Sequence, residues 1–282
     1  AKDHCLAVGD LGHMLNTSSY KDVFLNYIQN RYDVNETLFE IVYRNGTDIG
    51  ANIGGRNGYL NGLFYNVKTS KVAEPTTEPE FLPTPIFEYI YEEGDVRKSW
   101  NVLFYHGVKY QWNPNGKVLP TPDALNWTFS PGKFRRWDAV NPDDLDLSNL
   151  QTNPIETLES PVPVHQSLTG INFPLIRYSD VLLMLAEAEN ALNGPTMDAQ
   201  NAIDIVSNRA GLDNLAIANP DAIAGQEAFF NEITQERMRE LCFEGHRKHD
   251  LIRWGLYETK LIVLNSIVTN HPSYTPGFIA KL

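Results

Sequence analysis

Apolar residues recur with a helical period most clearly between residues 178 and 243. Val181, Leu182, Leu185, Ala186 and Ala188 share one helix face, with Ser179 or Asp180 as N-cap and Asn193-Gly194-Pro195 as the stop. The next helix starts at Thr196, carries Ala199, Ala202, Ile203 and Val206 on its apolar side and ends at Gly211. A third helix is predicted over residues 226–243 from Phe229, Phe230, Ile233, Met238, Leu241 and Cys242.

The pattern upstream differs. Residues 37–44, Thr-Leu-Phe-Glu-Ile-Val-Tyr-Arg, are β-branched and aromatic, and Asn45-Gly46 follows with hairpin turn chemistry. The glycine-rich residues 50–62 lack the Lys-Ser/Thr and the following helix of a phosphate-cradling loop, so they read as an irregular surface loop. Residues 69–174 hold 13 of the 17 prolines and four of the five tryptophans. Proline breaks helices and ladders alike, so this zone reads as loops and short edge strands. The first two C-terminal helices, antiparallel with small residues at their seam, resemble one tetratricopeptide-type hairpin, which needs neighbours to bury its face. The expected fold is mainly α. It has a tetratricopeptide-like helical scaffold, a large irregular loop-rich region and a few short β-strands, in zones 1–68, 69–174 and 175–282.

Composition narrows the function classes. With 42% apolar and 21% charged residues the chain can bury a core and is not a disordered acidic segment. The charge sum, 23 − 35 = −12, argues against nucleic-acid binding and against a polybasic membrane-surface segment. Two cysteines exclude a disulfide-dense scaffold and a zinc ribbon. No run approaches the ~20 apolar residues of a membrane span. The first ten residues have no initiator Met and no signal-peptide core, and they read as the middle of a helix in a longer or processed protein.

The candidate chemistry is aromatic. Residues 100–137 hold nine aromatics: Trp100, Phe104, Tyr105, Tyr110, Trp112, Trp127, Phe129, Phe134 and Trp137. Indole and phenol rings stack on the C–H faces of sugars, and polar neighbours serve the hydroxyls. The segment Tyr110-Gln111-Trp112-Asn113-Pro114-Asn115-Gly116 is the best single candidate, with two rings and three amides beside an Asn-Gly turn. In an extended segment, Tyr110 and Trp112 point to the same side. Tyr59 and Tyr65, in and after the glycine-rich run, are further candidates. The competing reading is that these rings fill the loop core. It holds for Phe104, Phe129 and Phe134, which have no polar tip, and stays open for Tyr110 and Trp112. Asp143, Asp144 and Asp146 read as an acidic turn, because the mid-loop glycine of a Ca²⁺ loop is missing. There is no Gly-x-Ser-x-Gly elbow, and Cys242 lies on an apolar helix face, so nothing nominates a nucleophile.

Residues 236–255, Glu-Arg-Met-Arg-Glu-Leu-Cys-Phe-Glu-Gly-His-Arg-Lys-His-Asp-Leu-Ile-Arg-Trp-Gly, closely resemble the signature of the SusD/RagB family of outer-membrane glycan-binding lipoproteins. Residues 175–189 look like the family's last tetratricopeptide helix. Gly94-Asp95-Val96-Arg97 and Pro131-Gly132-Lys133-Phe134-Arg135 look like its mid-chain landmarks. The resemblance implies one SusD/RagB-like domain over residues 1–282, without the family's lipobox cysteine, early helices and C-terminal tail. It implies a non-catalytic oligosaccharide-binding part of an outer-membrane nutrient-uptake complex. The partners would be a glycan and a TonB-dependent, SusC-like barrel transporter, with cell-surface placement through an N-terminal lipid anchor and no cofactor. A tetratricopeptide-like protein-interaction scaffold without its own glycan site is the alternative. Glu244, His246, His249 and Asp250 mimic a metal cluster. The family reading is instead structural: the Arg, Glu and His groups satisfy one another where two helices turn, with Trp254 packed beneath. Trp100 and Trp137, beside the landmarks, read as structural too.

Overall fold

The computed structural model describes residues 1–43, 54–62, 77, 80–103, 105–107, 118–120, 129–139, 152–154 and 168–270. In chain order it contains α1 (Lys2–Asp10), α2 (Tyr20–Ile28), β1 (Thr37–Ile41), α3 (Asn57–Leu60), a 3₁₀ turn (Pro85–Glu88), α4 (Arg97–Asn101), β2 (Val102–Leu103) and β3 (Tyr105–Gly107). There follow β4 (Val118–Pro120), β5 (Ser130–Pro131), β6 (Trp137–Ala139), β7 (Thr152–Pro154), β8 (Phe173–Arg177), α5 (Tyr178–Asn193), α6 (Met197–Arg209) and α7 (Leu215–Ala218). After a second 3₁₀ turn (Pro220–Ile223) come α8 (Gln226–Glu240), α9 (His246–Arg253) and α10 (Tyr257–Asn270). The chain is mostly helical, and no described helix is long and apolar enough to cross a membrane. It divides into two compact units. The first is Ala1–Val42, Ile90–Ser99 and Asn172–Arg247; the second is Tyr43–Tyr89, Trp100–Ile171 and Lys248–Leu282.

The first unit is built on the α5–α6 hairpin, with α1 and α8 packed on α5. Its core joins Leu182, Leu183 and Ala186 of α5 to Ala199, Ala202, Ile203 and Val206 of α6 and to Phe229 and Ile233 of α8. Burying each larger side chain contributes about 1.5–3 kcal/mol. The alanines at the seam let the two helices approach closely. Thr196 caps α6, its hydroxyl accepting from the Ala199 amide at 3.3 Å. Gly194 (φ +81°) and Gly211 (φ +87°) take positive-φ backbone, which suits glycine, where α5 and α6 stop. α5 starts before the expected caps. Arg177 holds the N-cap position, Ser179 and Asp180 lie inside the first turn, and the Tyr178 amide donates to the Glu36 carbonyl at 2.7 Å. α8 ends at Glu240, short of the expected 243, because Phe243 (φ +63°) and Gly245 (φ +85°) turn the chain into α9.

The strand expected over residues 37–44 forms at Thr37–Ile41. Among the described residues its partner is β8, antiparallel, with Phe39 opposite Ile176 and Ile41 opposite Phe173. Asn45 and Gly46 lie outside the described residues.

In the second unit the proline-rich zone forms short antiparallel pairs: β2 with β5, β3 with β4, and β6 with β7. The described part of the glycine-rich run is not a surface loop. Gly55, Gly58, Asn61 and Gly62 are buried, and Gly55 bridges to Thr169. A Cβ on Gly58 would collide with the Ile171 side chain, and one on Gly62 would lie 2.7 Å from the Gly58 carbonyl oxygen. These glycines serve close packing against residues 134–136 and 171.

Candidate functional site

Residues 236–247 of the signature segment belong to the first unit, where their part of α8 enters a buried polar cluster. α8 presents Glu236, Arg237, Arg239 and Glu240 inward, all buried. Arg97, with a fully buried side chain, grips both Asp95 oxygens from Nε and Nη2 and reaches Glu236 at 2.5 Å and Glu240 at 3.4 Å. Arg239 pairs with Glu236 at 2.9 Å and with Glu232. Arg177, at the end of β8, binds Glu36 at 2.7 Å, Glu240 at 3.0 Å and Glu244 at 2.7 Å. Arg209 of α6 bridges Glu36 at 2.6 Å and Glu240 at 2.5 Å. A separate pair joins Arg237 to Asp180 at 2.7 Å.

Burial alone would weaken the charge on Arg97, but Glu236 and Asp95 outweigh it and hold its pKa well above the ordinary value. Burial pushes the Glu236 carboxyl up, and Arg97 and Arg239 more than reverse this, so it sits below its usual range. Forked guanidiniums suit such sharing, since each presents several fixed N–H groups to different carboxylates. The network ties five stretches of chain together, around residues 36, 95–97, 177, 209 and 232–244, which is a structural task. The expected Glu236–Arg239 pair forms at its centre. His249 is exposed and His246 half-buried. Trp254 is half-buried, with the Arg253 guanidinium 4.5 Å over its ring. Among the described residues no group of His, Cys, Asp and Glu side chains is placed to hold a metal ion.

Sequence reasoning missed Glu36, Arg177 and Arg209 as members of this network. Arg209 carried a signal, since it is the one Lys or Arg between residues 178 and 236, amid ten acidic residues.

The aromatic candidates fall in the second unit. Trp100 is buried, with the Arg135 guanidinium 3.9 Å over its ring and Arg135 Nη2 donating to its carbonyl at 2.6 Å. Phe129 and Phe134 are buried as well. These three are core, as expected for Phe129 and Phe134 from their apolar rings and for Trp100 from its place beside a family landmark. Tyr59 sits half-buried on α3, with the Arg56 guanidinium 5.0 Å over its ring. Tyr65, Tyr110, Trp112 and Asn113 lie outside the described residues, as do Asp143, Asp144 and Asp146. The described strands on either side of residues 108–117 do pair, Gly107 opposite Val118 and Tyr105 opposite Pro120. A closed antiparallel stem therefore brackets the Tyr110–Asn113 segment.

A family model described as the SusD family matches residues 51–276, most of the chain. The chain belongs to that family. Among curated proteins, SusD-like protein P25 of Formosa agariphila is 43% identical over 84 residues, which is 29% of this chain and 15% of that protein. Among solved structures, a SusD homolog from Bacteroides thetaiotaomicron superposes with a TM-score of 0.71 at 21% identity, over 94% of this chain and 49% of that one. A laminarin-binding SusD-like protein superposes with a TM-score of 0.55 at 21% identity, over 95% of this chain and 50% of that one. The chain spans about half the length of these solved structures.

Proposed function

We propose that this chain is the glycan-binding part of a cell-surface protein that captures oligosaccharide for uptake and does not cleave it. The observation that carries this reading is the family match over residues 51–276, which includes the Tyr110–Asn113 segment. The fold shared with a laminarin-binding SusD-like protein supports it. In this reading residues 1–282 belong to one SusD/RagB-like domain. Its protein partner is a TonB-dependent, SusC-like outer-membrane barrel, and a lipid anchor outside these residues holds it at the outer membrane. Trp112 and Tyr110 supply stacking rings, Asn113 supplies hydrogen bonds to hydroxyls, and Tyr59 and Tyr65 are secondary contacts. Binding is weak and little affected by salt, because an open platform buries little area and a neutral sugar carries no charge.

The test is calorimetry against a panel of neutral glycans that includes laminarin, read in parallel by tryptophan fluorescence. Saturable binding is expected, and Trp112→Ala weakens it about tenfold or more, the equivalent of about 1.4 kcal/mol. Unchanged affinity in Trp112→Ala rejects this site. Absence of binding to every glycan by folded protein rejects the function for this chain.

A further inference from the structure

In the second unit the run from Gly55 to Gly62 is pinned from its buried side. Gly55 and Thr169 exchange both backbone hydrogen bonds, at 2.9 and 2.8 Å. Gly58 and Gly62 leave no room for a Cβ beneath Ile171 and residues 134–136. A Cβ on Gly55 would lie 2.7 Å from the Tyr43 ring, so that phenol rests directly on the backbone just before Arg56. The glycines thereby hold the backbone rigid under the side chains that this run turns outward.

Arg56 is one of those side chains. Its guanidinium lies 5.0 Å over the ring of Tyr59, three residues on. The buried Arg97, Arg135 and Arg177 are each joined to a carboxylate. Arg56 is exposed, and it pairs with no carboxylate among the described residues. Stacking uses the face of the guanidinium and leaves its in-plane N–H groups open. In a chain of net charge −12, an exposed arginine with no described acid beside it, held on a ring and a pinned backbone, is placed to receive an anion from outside.

We infer that Arg56, with Tyr59 and Tyr43, forms a subsite for the anionic substituent of an acidic sugar, a uronate carboxylate or a sulfate ester. Two oxygens of either group match the guanidinium fork. The half-buried rings of Tyr43 and Tyr59 offer apolar surface to the C–H face of the sugar that carries the anion. A free inorganic anion would use the fork alone and leave the rings idle. The subsite rests on the proposed glycan-binding function and adds charge recognition to it.

The experiment is calorimetry with two matched pairs of oligosaccharides: an oligouronate and its carboxyl-reduced neutral form, and a sulfated oligosaccharide and its desulfated form. Each is titrated at low salt and at about 150 mM salt, where charges more than about 8 Å apart are screened. The acidic member of one pair is expected to bind about tenfold tighter than its neutral counterpart, and the pair that shows the margin identifies the anion. The margin narrows at the higher salt. Arg56→Gln removes it, and Arg56→Lys, which keeps the charge without the fork, restores part of it. Arg56 is exposed, so both variants are expected to keep the wild-type circular dichroism and urea midpoint. Equal affinity within both pairs, or a margin that survives Arg56→Gln, overturns the subsite and leaves glycan binding standing. Failure of folded protein to bind any of the four overturns the subsite and glycan binding together.

Discussion

Replacing Arg97 with leucine removes the guanidinium from the centre of the first unit's charge network. Arg97 is fully buried and grips Asp95 with two nitrogens while it reaches Glu236 and Glu240. Glu236 keeps Arg239 at 2.9 Å, but the fully buried Asp95 carboxylate loses the fork that holds it. Breaking a buried ion pair by removing one partner costs about 3–5 kcal/mol, because the remaining charge stays desolvated. Against a typical domain stability of about 5–15 kcal/mol, that is a large share. Urea unfolding followed by far-ultraviolet circular dichroism should show the midpoint falling with an unchanged slope. Arg97→Lys keeps the charge but not the fork, so it should fall between wild type and Arg97→Leu. A loss below about 1 kcal/mol, the range of a solvent-exposed pair, would refute the claim that this network is desolvated and mutually dependent.

Three further outcomes follow from contacts of the fold. Because the folded-state pKa of Glu236 lies below its ordinary 4.5, its contribution is fully present above that pH. It is lost as pH falls through the folded value, so the urea midpoint should drop below about pH 4.5 and drop less in Glu236→Gln. Gly58→Ala should destabilise by about 1–3 kcal/mol through overpacking against Ile171, read as a lower Tm. Thr196→Ala removes the α6 cap and the hydroxyl's 3.1 Å bond to Glu189, and should cost about 1 kcal/mol in a urea titration.

The parts of the fold legible in the sequence were those set by local rules. The α5–α6 hairpin follows from its periodicity, the Thr196 cap and the glycines at its ends. Phe129 and Phe134 were recognisable as core from side-chain chemistry, and Trp100 from its place beside a family landmark. Non-local choices were less visible. The sequence marked β1 as a strand, but its described partner is β8, far along the chain, which no turn signal encodes. The glycines at 55–62 were ambiguous because glycine marks both loops and close packing, and only the neighbours at Phe134 and Ile171 decide between them. Helical spacing revealed Glu236 with Arg239, since both lie on one helix. It could not reveal Arg177 or Arg209, which reach α8 from β8 and α6. The ring candidates came from local composition, and the closed β3–β4 stem is the described structure that bears on them.

The most direct measurement is a calorimetric titration of the chain with laminarin and related neutral glycans. Heats that saturate and then cease, with the glycan unchanged afterwards, are the predicted result for a binder that performs no chemistry. Heat that continues after each addition, with shortened glycan in the cell, would contradict the non-catalytic reading. A flat trace across the panel from folded protein would contradict glycan binding by this chain.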